Sequence, residues 1–148
     1  MIINVQSKRL PQSVTFLLLF FLSSVFFVSC GTSKAAFQIS TVVPAATGDV
    51  KLKKDNNNNY AVKVEVENLA EPNRLPQPQN VYVVWAETVQ GPQNLGQLKT
   101  SSGFSGSKLK ASLETVTPYK PSRVFITAEP AATVATPGYY TILNTTGF

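Results

Sequence analysis

Apolar and polar residues alternate along much of this chain. In residues 48–69, Val50 and Leu52 alternate with Lys51 and Lys53, and Val62, Val64 and Val66 alternate with Lys63, Glu65 and Glu67. A period of two puts the valines on one buried face and the charges in water, so the pattern predicts two strands with Val62, Val64 and Val66 in the core. The "DNNNN" run at 55–59 suits the turn between them, because Asn tolerates positive φ better than other non-glycine residues. Residues 108–116 repeat the pattern, with Leu109, Ala111 and Leu113 opposite Lys108, Lys110, Ser112 and Glu114. Residues 80–88, "NVYVVWAET", are almost continuously apolar, as in a central strand covered on both faces. "FQISTVV" (37–43), "NLGQLKT" (94–100), "RVFITAEP" (123–130) and "GYYTILNTT" (138–146) complete the set. The proline-bearing "AEPNRLPQPQ" (70–79) reads as a connection, "GPQ" (91–93) and "TPYKPS" (117–122) as turns, and "SSGFSGS" (101–107) as a Gly/Ser loop. No helical period holds over ten residues. Short strands broken by Pro and Gly indicate an all-β fold, an immunoglobulin-like β-sandwich of about seven or eight strands over residues 37–148.

The first thirty residues follow a different pattern. Lys8 and Arg9 precede an apolar run, Val14 to Val28, and the small residues Ser29, Cys30 and Gly31 close it. A positive segment, a short apolar core and small residues form a secretory signal, and the run falls short of the ~20 apolar residues of a spanning helix. A short signal anchor that stays in place is the alternative. "FVSC" (27–30) resembles the lipobox of bacterial lipoproteins, in which the thiol is acylated before cleavage makes it the new N-terminus. Phe27 departs from the usual Leu. The resemblance implies a signal peptide over 1–29, lipidation at Cys30 and a tether over 30–36. One acyl chain binds a bilayer reversibly and two or more hold firmly. With no acidic residue close after Cys30, the implied address is the cell envelope, on the periplasmic face of an outer membrane.

Composition then narrows the chemistry. Removal of 1–29 leaves 119 of the 148 residues and a net charge of +3, since Lys8 and Arg9 depart from the +5 of the whole chain. That length suffices for one core. The charge is modest and no basic cluster interleaves with aromatics, which argues against a nucleic-acid partner. The chain has no histidine and one cysteine, so Cys/His metal sites and a Ser-His-Asp triad are excluded, and no cofactor is expected.

Few residues remain as candidates for a site. Trp85, the one tryptophan, lies inside an apolar strand and reads as a core anchor of the sandwich rather than a ligand platform. Glu87 and Glu129 close two strands, and a glycosidase would need such a pair about 5–10 Å apart. Tyr139, Tyr140 and Tyr119 could build an aromatic sugar-binding surface, but adjacent strand residues face opposite sides. Asp49, Asp55 and the asparagines lack the spacing of a Ca²⁺ loop. "NTT" (144–146) matches a glycosylation sequon, which carries little weight in a bacterial lipoprotein.

From Tyr60 onward the chain is similar to the extracytoplasmic C-terminal domain of anti-sigma-K factors. The matching elements are "VENL" with its proline-bearing link, "YVVW" (82–85), "NLG" (94–96), "ITAEP" (126–130) and "TPGYYTIL" (136–143). The resemblance implies a β-sandwich with a sensory or binding role outside the cytoplasm. The residues ahead of the strands are too few for the family's sigma-binding domain, so direct control of a sigma factor is not implied. The expected function is a lipid-anchored, non-catalytic binding or structural module whose partner is an envelope protein or a cell-wall polysaccharide. The competing expectations are an accessory sensor in an anti-sigma-like system and an envelope hydrolase.

Overall fold

The computed structural model describes residues 31–102 and 109–148. The signal peptide expected over 1–29 and the acylation expected at Cys30 fall outside the described residues, as does most of the Gly/Ser loop. Among the described residues there are nine strands and one 3-10 turn, Pro72–Arg74. The strands are β1 (Thr32–Ala36), β2 (Thr47–Lys54), β3 (Tyr60–Leu69), β4 (Val81–Thr88), β5 (Gly91–Gln97), β6 (Lys99–Ser102), β7 (Leu109–Thr117), β8 (Arg123–Glu129) and β9 (Thr141–Asn144). They form two antiparallel sheets, ordered β1-β2-β3-β7-β6 and β5-β4-β8-β9. The fold is an immunoglobulin-like sandwich, one strand beyond the seven or eight expected.

The alternation read from the sequence sets the register. Val50 and Leu52 pair with Val64 and Val62, and Val64 pairs in turn with Leu113. These side chains point inward and meet Tyr82, Val84, Val124, Ile126, Ile142 and Leu143 of the other sheet in one core. Val62, Val64 and Val66 are buried there. The hairpin between β2 and β3 closes as the asparagine run implies. Asn58 takes φ 65°, and Asp55 Oδ1 accepts the amides of Asn57 and Asn59, each at 2.8 Å. An Asx turn of this kind satisfies the tip from within.

The last strand, expected over 138–146, is the shorter Thr141–Asn144, and three larger differences from the sequence reading stand out. Residues 37–43 are not a strand; the first strand is Thr32–Ala36, inside the segment expected to be tether. β1 pairs along β2 from Thr32↔Lys53 to Ala36↔Asp49. The chain then leaves that sheet: the Phe37 amide donates to the Gly48 carbonyl and the Gln38 amide to the Asn144 carbonyl of the second sheet. Ser40 Oγ next accepts the amides of Val42 and Val43, so the apolar residues here plug the core edge from a turn. Second, Gly91 and Pro92 belong to β5, and the turn is Val89-Gln90. Proline is tolerated because β5 is an edge strand. Third, residues 94–100 are not one strand. Buried Leu98 divides β5 from β6 and carries the chain from one sheet to the other.

Candidate functional site

The outer face of the β1-β2-β3-β7 sheet carries the residues that alternate with the core. It holds a trough of about 690 Å³, lined by Lys34 on β1, Asp49 on β2, Glu65 and Glu67 on β3, and Lys110 and Ser112 on β7. Four strands at ~4.8 Å spacing make it roughly 14 Å across. Gly48 lets β2 lie close to β3 beside it, since a Cβ there would strike the Glu65 carbonyl and come within 2.9 Å of the Val66 Cα.

The charges of this face interlock. Lys110 lies 2.8 Å from Glu67, Lys51 and Lys63 each lie 3.2 Å from Glu65, and Lys34 lies 3.5 Å from Asp49. Hydrogen bonds from Lys63 and Lys51 hold the Glu65 carboxyl below its ordinary pKa, and the Glu67 carboxylate raises that of Lys110. Exposed, solvent-screened pairs of this kind add little to stability. Asp49 Oδ2 is buried and makes no hydrogen bond; the Lys34 ammonium, at 3.5 Å, is its ion-pair partner. The result is a row of ammonium and carboxylate groups at strand spacing, paired with one another across the face. The sequence reading missed this face because each charge, taken alone, is the ordinary solvent side of a strand.

Trp85 is buried, as expected, but not between the sheets. With Val83 and Phe125 it forms a second small core on the outer side of the β4-β8 pair, against Val81 and Val134. Its ring stacks on Phe125, with centroids 6.4 Å apart. Residues 130–138 cover it, held by Asn94 Nδ2, which donates to the carbonyls of Ala132 (3.0 Å) and Val134 (2.9 Å). Beneath this cover runs a chain of hydrogen bonds. Trp85 Nε1 donates to Thr127 Oγ1 at 2.8 Å, Thr127 Oγ1 donates to Glu129 Oε1 at 2.6 Å, and the Gly138 amide donates to the same oxygen at 2.7 Å.

The remaining sequence candidates do not converge. Glu87 pairs in register with Arg123 and Val81 with Glu129, so six residues, or about 20 Å, separate the two carboxylates along the sheet. That exceeds the glycosidase separation. Tyr139 is 91% exposed at the Glu129 end, Tyr140 packs on the main core, and Tyr119 lies at the other end beyond β7. They share no surface. Asp49 and Asp55 sit at opposite ends of β2, and among the described residues no cluster of three or more Asp, Glu or Cys could hold a metal ion. Asn144 of the sequon lies in β9. No described helix is long and apolar enough to cross a membrane.

Comparison with protein-family models, with curated proteins and with solved structures returned no match for this chain.

Proposed function

We propose that the chain is a lipid-anchored binding module of the cell envelope, non-catalytic, whose ligand lies in the charged trough across β1, β2, β3 and β7. The trough carries this reading. It is a broad concave surface on a four-strand face, and its charged groups, paired with one another at its surface, add little to stability. An extended polysaccharide, or a peptide strand with both charges, matches its alternating donors and acceptors. The signal-like leader and the lipobox-like "FVSC" support anchoring through Cys30.

A photo-activated cross-linking residue at Ser112, in intact cells, tests the reading. The expected result is one discrete adduct, lost on Asp49→Ala or Lys110→Ala and absent when the probe stands at exposed Gln97 of the other sheet. The same adduct from both positions, or none from Ser112, would overturn the trough as the binding face. The mass of the adduct separates a saccharide from a protein, and a membrane signalling protein would favour the accessory-sensor role.

A further inference from the structure

The start of β1 at Thr32 leaves Gly31 as the one residue between Cys30 and the fold. Two residues span at most about 7 Å. A lipid on Cys30 therefore cannot hold the sandwich away from the bilayer, and the end of the sandwich beside Thr32 must meet the membrane surface.

The make-up of that end matches such a surface. Thr32 pairs with Lys53, Lys53 with Ala61, and Ala61 with Val116. The same end carries the β7–β8 turn with Tyr119 and Lys120, and the Val89-Gln90 turn, joined where the Ser122 amide donates to the Glu87 carbonyl. Val89 is 90% exposed, Val116 58% and Tyr119 38%, which places here three of the five exposed large apolar side chains among the described residues. Lys53, Lys54 and Lys120 are exposed and in no ion pair among the described residues. Of the acidic groups at this end, Asp55 accepts the amides of its own turn and Glu87 faces Arg123 at 3.6 Å, so the exposed Glu114 is the one carboxylate set against the three lysines. Apolar tips amid unpaired lysines fit the interface of an anionic bilayer, where the rings and aliphatic groups enter the headgroup layer and the ammonium groups meet phosphates.

We infer that this end, with Val89, Tyr119, Lys53, Lys54 and Lys120, is a membrane-seating face for anionic lipid, which fixes the orientation of the anchored domain. The inference rests on lipidation at Cys30. Seated this way, the long axis of the strands stands away from the bilayer and the Asp49 end of the trough faces outward.

The test uses the full chain purified from membranes and reconstituted into vesicles of phosphatidylcholine and phosphatidylglycerol carrying a nitroxide quencher on the headgroups. An environment-sensitive dye is placed at Val89→Cys or, as the opposite end, at Tyr139→Cys. The expected result is quenching several-fold stronger at position 89 than at 139. Each Lys→Gln change at 53, 54 or 120 should lower the ratio of seated to unseated molecules about fivefold, as should replacing phosphatidylglycerol or raising salt in the same direction. The thiol state of the wild-type chain separates the two claims. An unmodified Cys30 thiol would overturn the anchor and the seating together. An acylated Cys30 with equal quenching at 89 and 139 would overturn the seating alone.

Discussion

Thr127→Val isolates the hydrogen-bonded chain beneath the Trp85 cover. Valine keeps the size and β-branching of threonine, so the fully buried site stays filled. Two interactions are lost. Trp85 Nε1–H loses its acceptor in a site closed to water, and an orphaned buried donor costs about 1–3 kcal/mol. Glu129 Oε1 loses one of its two donors and keeps the Gly138 amide, at a further cost of about 1 kcal/mol. The sum is about 2–4 kcal/mol, a large part of the 5–15 kcal/mol by which domains of this size are stable. At this length that corresponds to a fall in Tm of roughly 8–16 °C. Urea unfolding followed by far-UV circular dichroism gives the magnitude, and a double-mutant cycle gives the cause. Trp85→Phe removes the donor itself, so combining it with Thr127→Val should cost about 1–3 kcal/mol less than the two changes summed. A Thr127→Val protein within about 0.5 kcal/mol of wild type, or strictly additive changes, would refute the bond's role.

Three further outcomes follow from the same structure. Asn94→Ala removes the two bonds at the middle of residues 130–138 and leaves those at Pro130 and Gly138, so Trp85 emission should shift to the red and acrylamide should quench it more strongly, with about 1–2 kcal/mol of stability lost. Gly48→Ala should destabilise by several kcal/mol, read in the urea midpoint, because its Cβ meets the β3 backbone rather than a movable side chain. Glu65 has a depressed folded-state pKa, so its contribution to stability is present above the ordinary value of 4.5 and is lost as pH falls through the folded value. In an NMR titration, Lys63→Met or Lys51→Met should move the Glu65 pKa upward.

The parts of the fold legible in the sequence are those where one face is dry and the other wet. Val62, Val64 and Val66 on β3, and Leu109 to Leu113 on β7, announce their strand because a one-residue slip would expose every valine. The turn at 55–59 is equally plain, since the asparagine run tolerates the positive φ that Asn58 adopts. β1 was hidden because "TSKAA" has little intrinsic β preference and is a strand only through pairing with β2. Residues 37–43 misled in the opposite way: Phe37 and Val43 are apolar because they pack on or into the core, while their backbone crosses between sheets. Trp85 read correctly as buried, but its partners Thr127 and Val134 lie 42 and 49 positions away, and only the fold reveals the second layer. The trough was illegible for a related reason. Lys34, Asp49, Glu65 and Lys110 come from four strands, and no local pattern marks their meeting.

The proposed anchor at Cys30 would set both the address of the protein and the way its sandwich sits. Intact-mass and N-terminal peptide analysis of the chain extracted from native membranes tests it most directly. The account predicts a mature form that begins at Cys30 and carries a diacylglyceryl group on its sulfur. A mature chain with an unmodified Cys30, or one that retains residues 1–29, would contradict it.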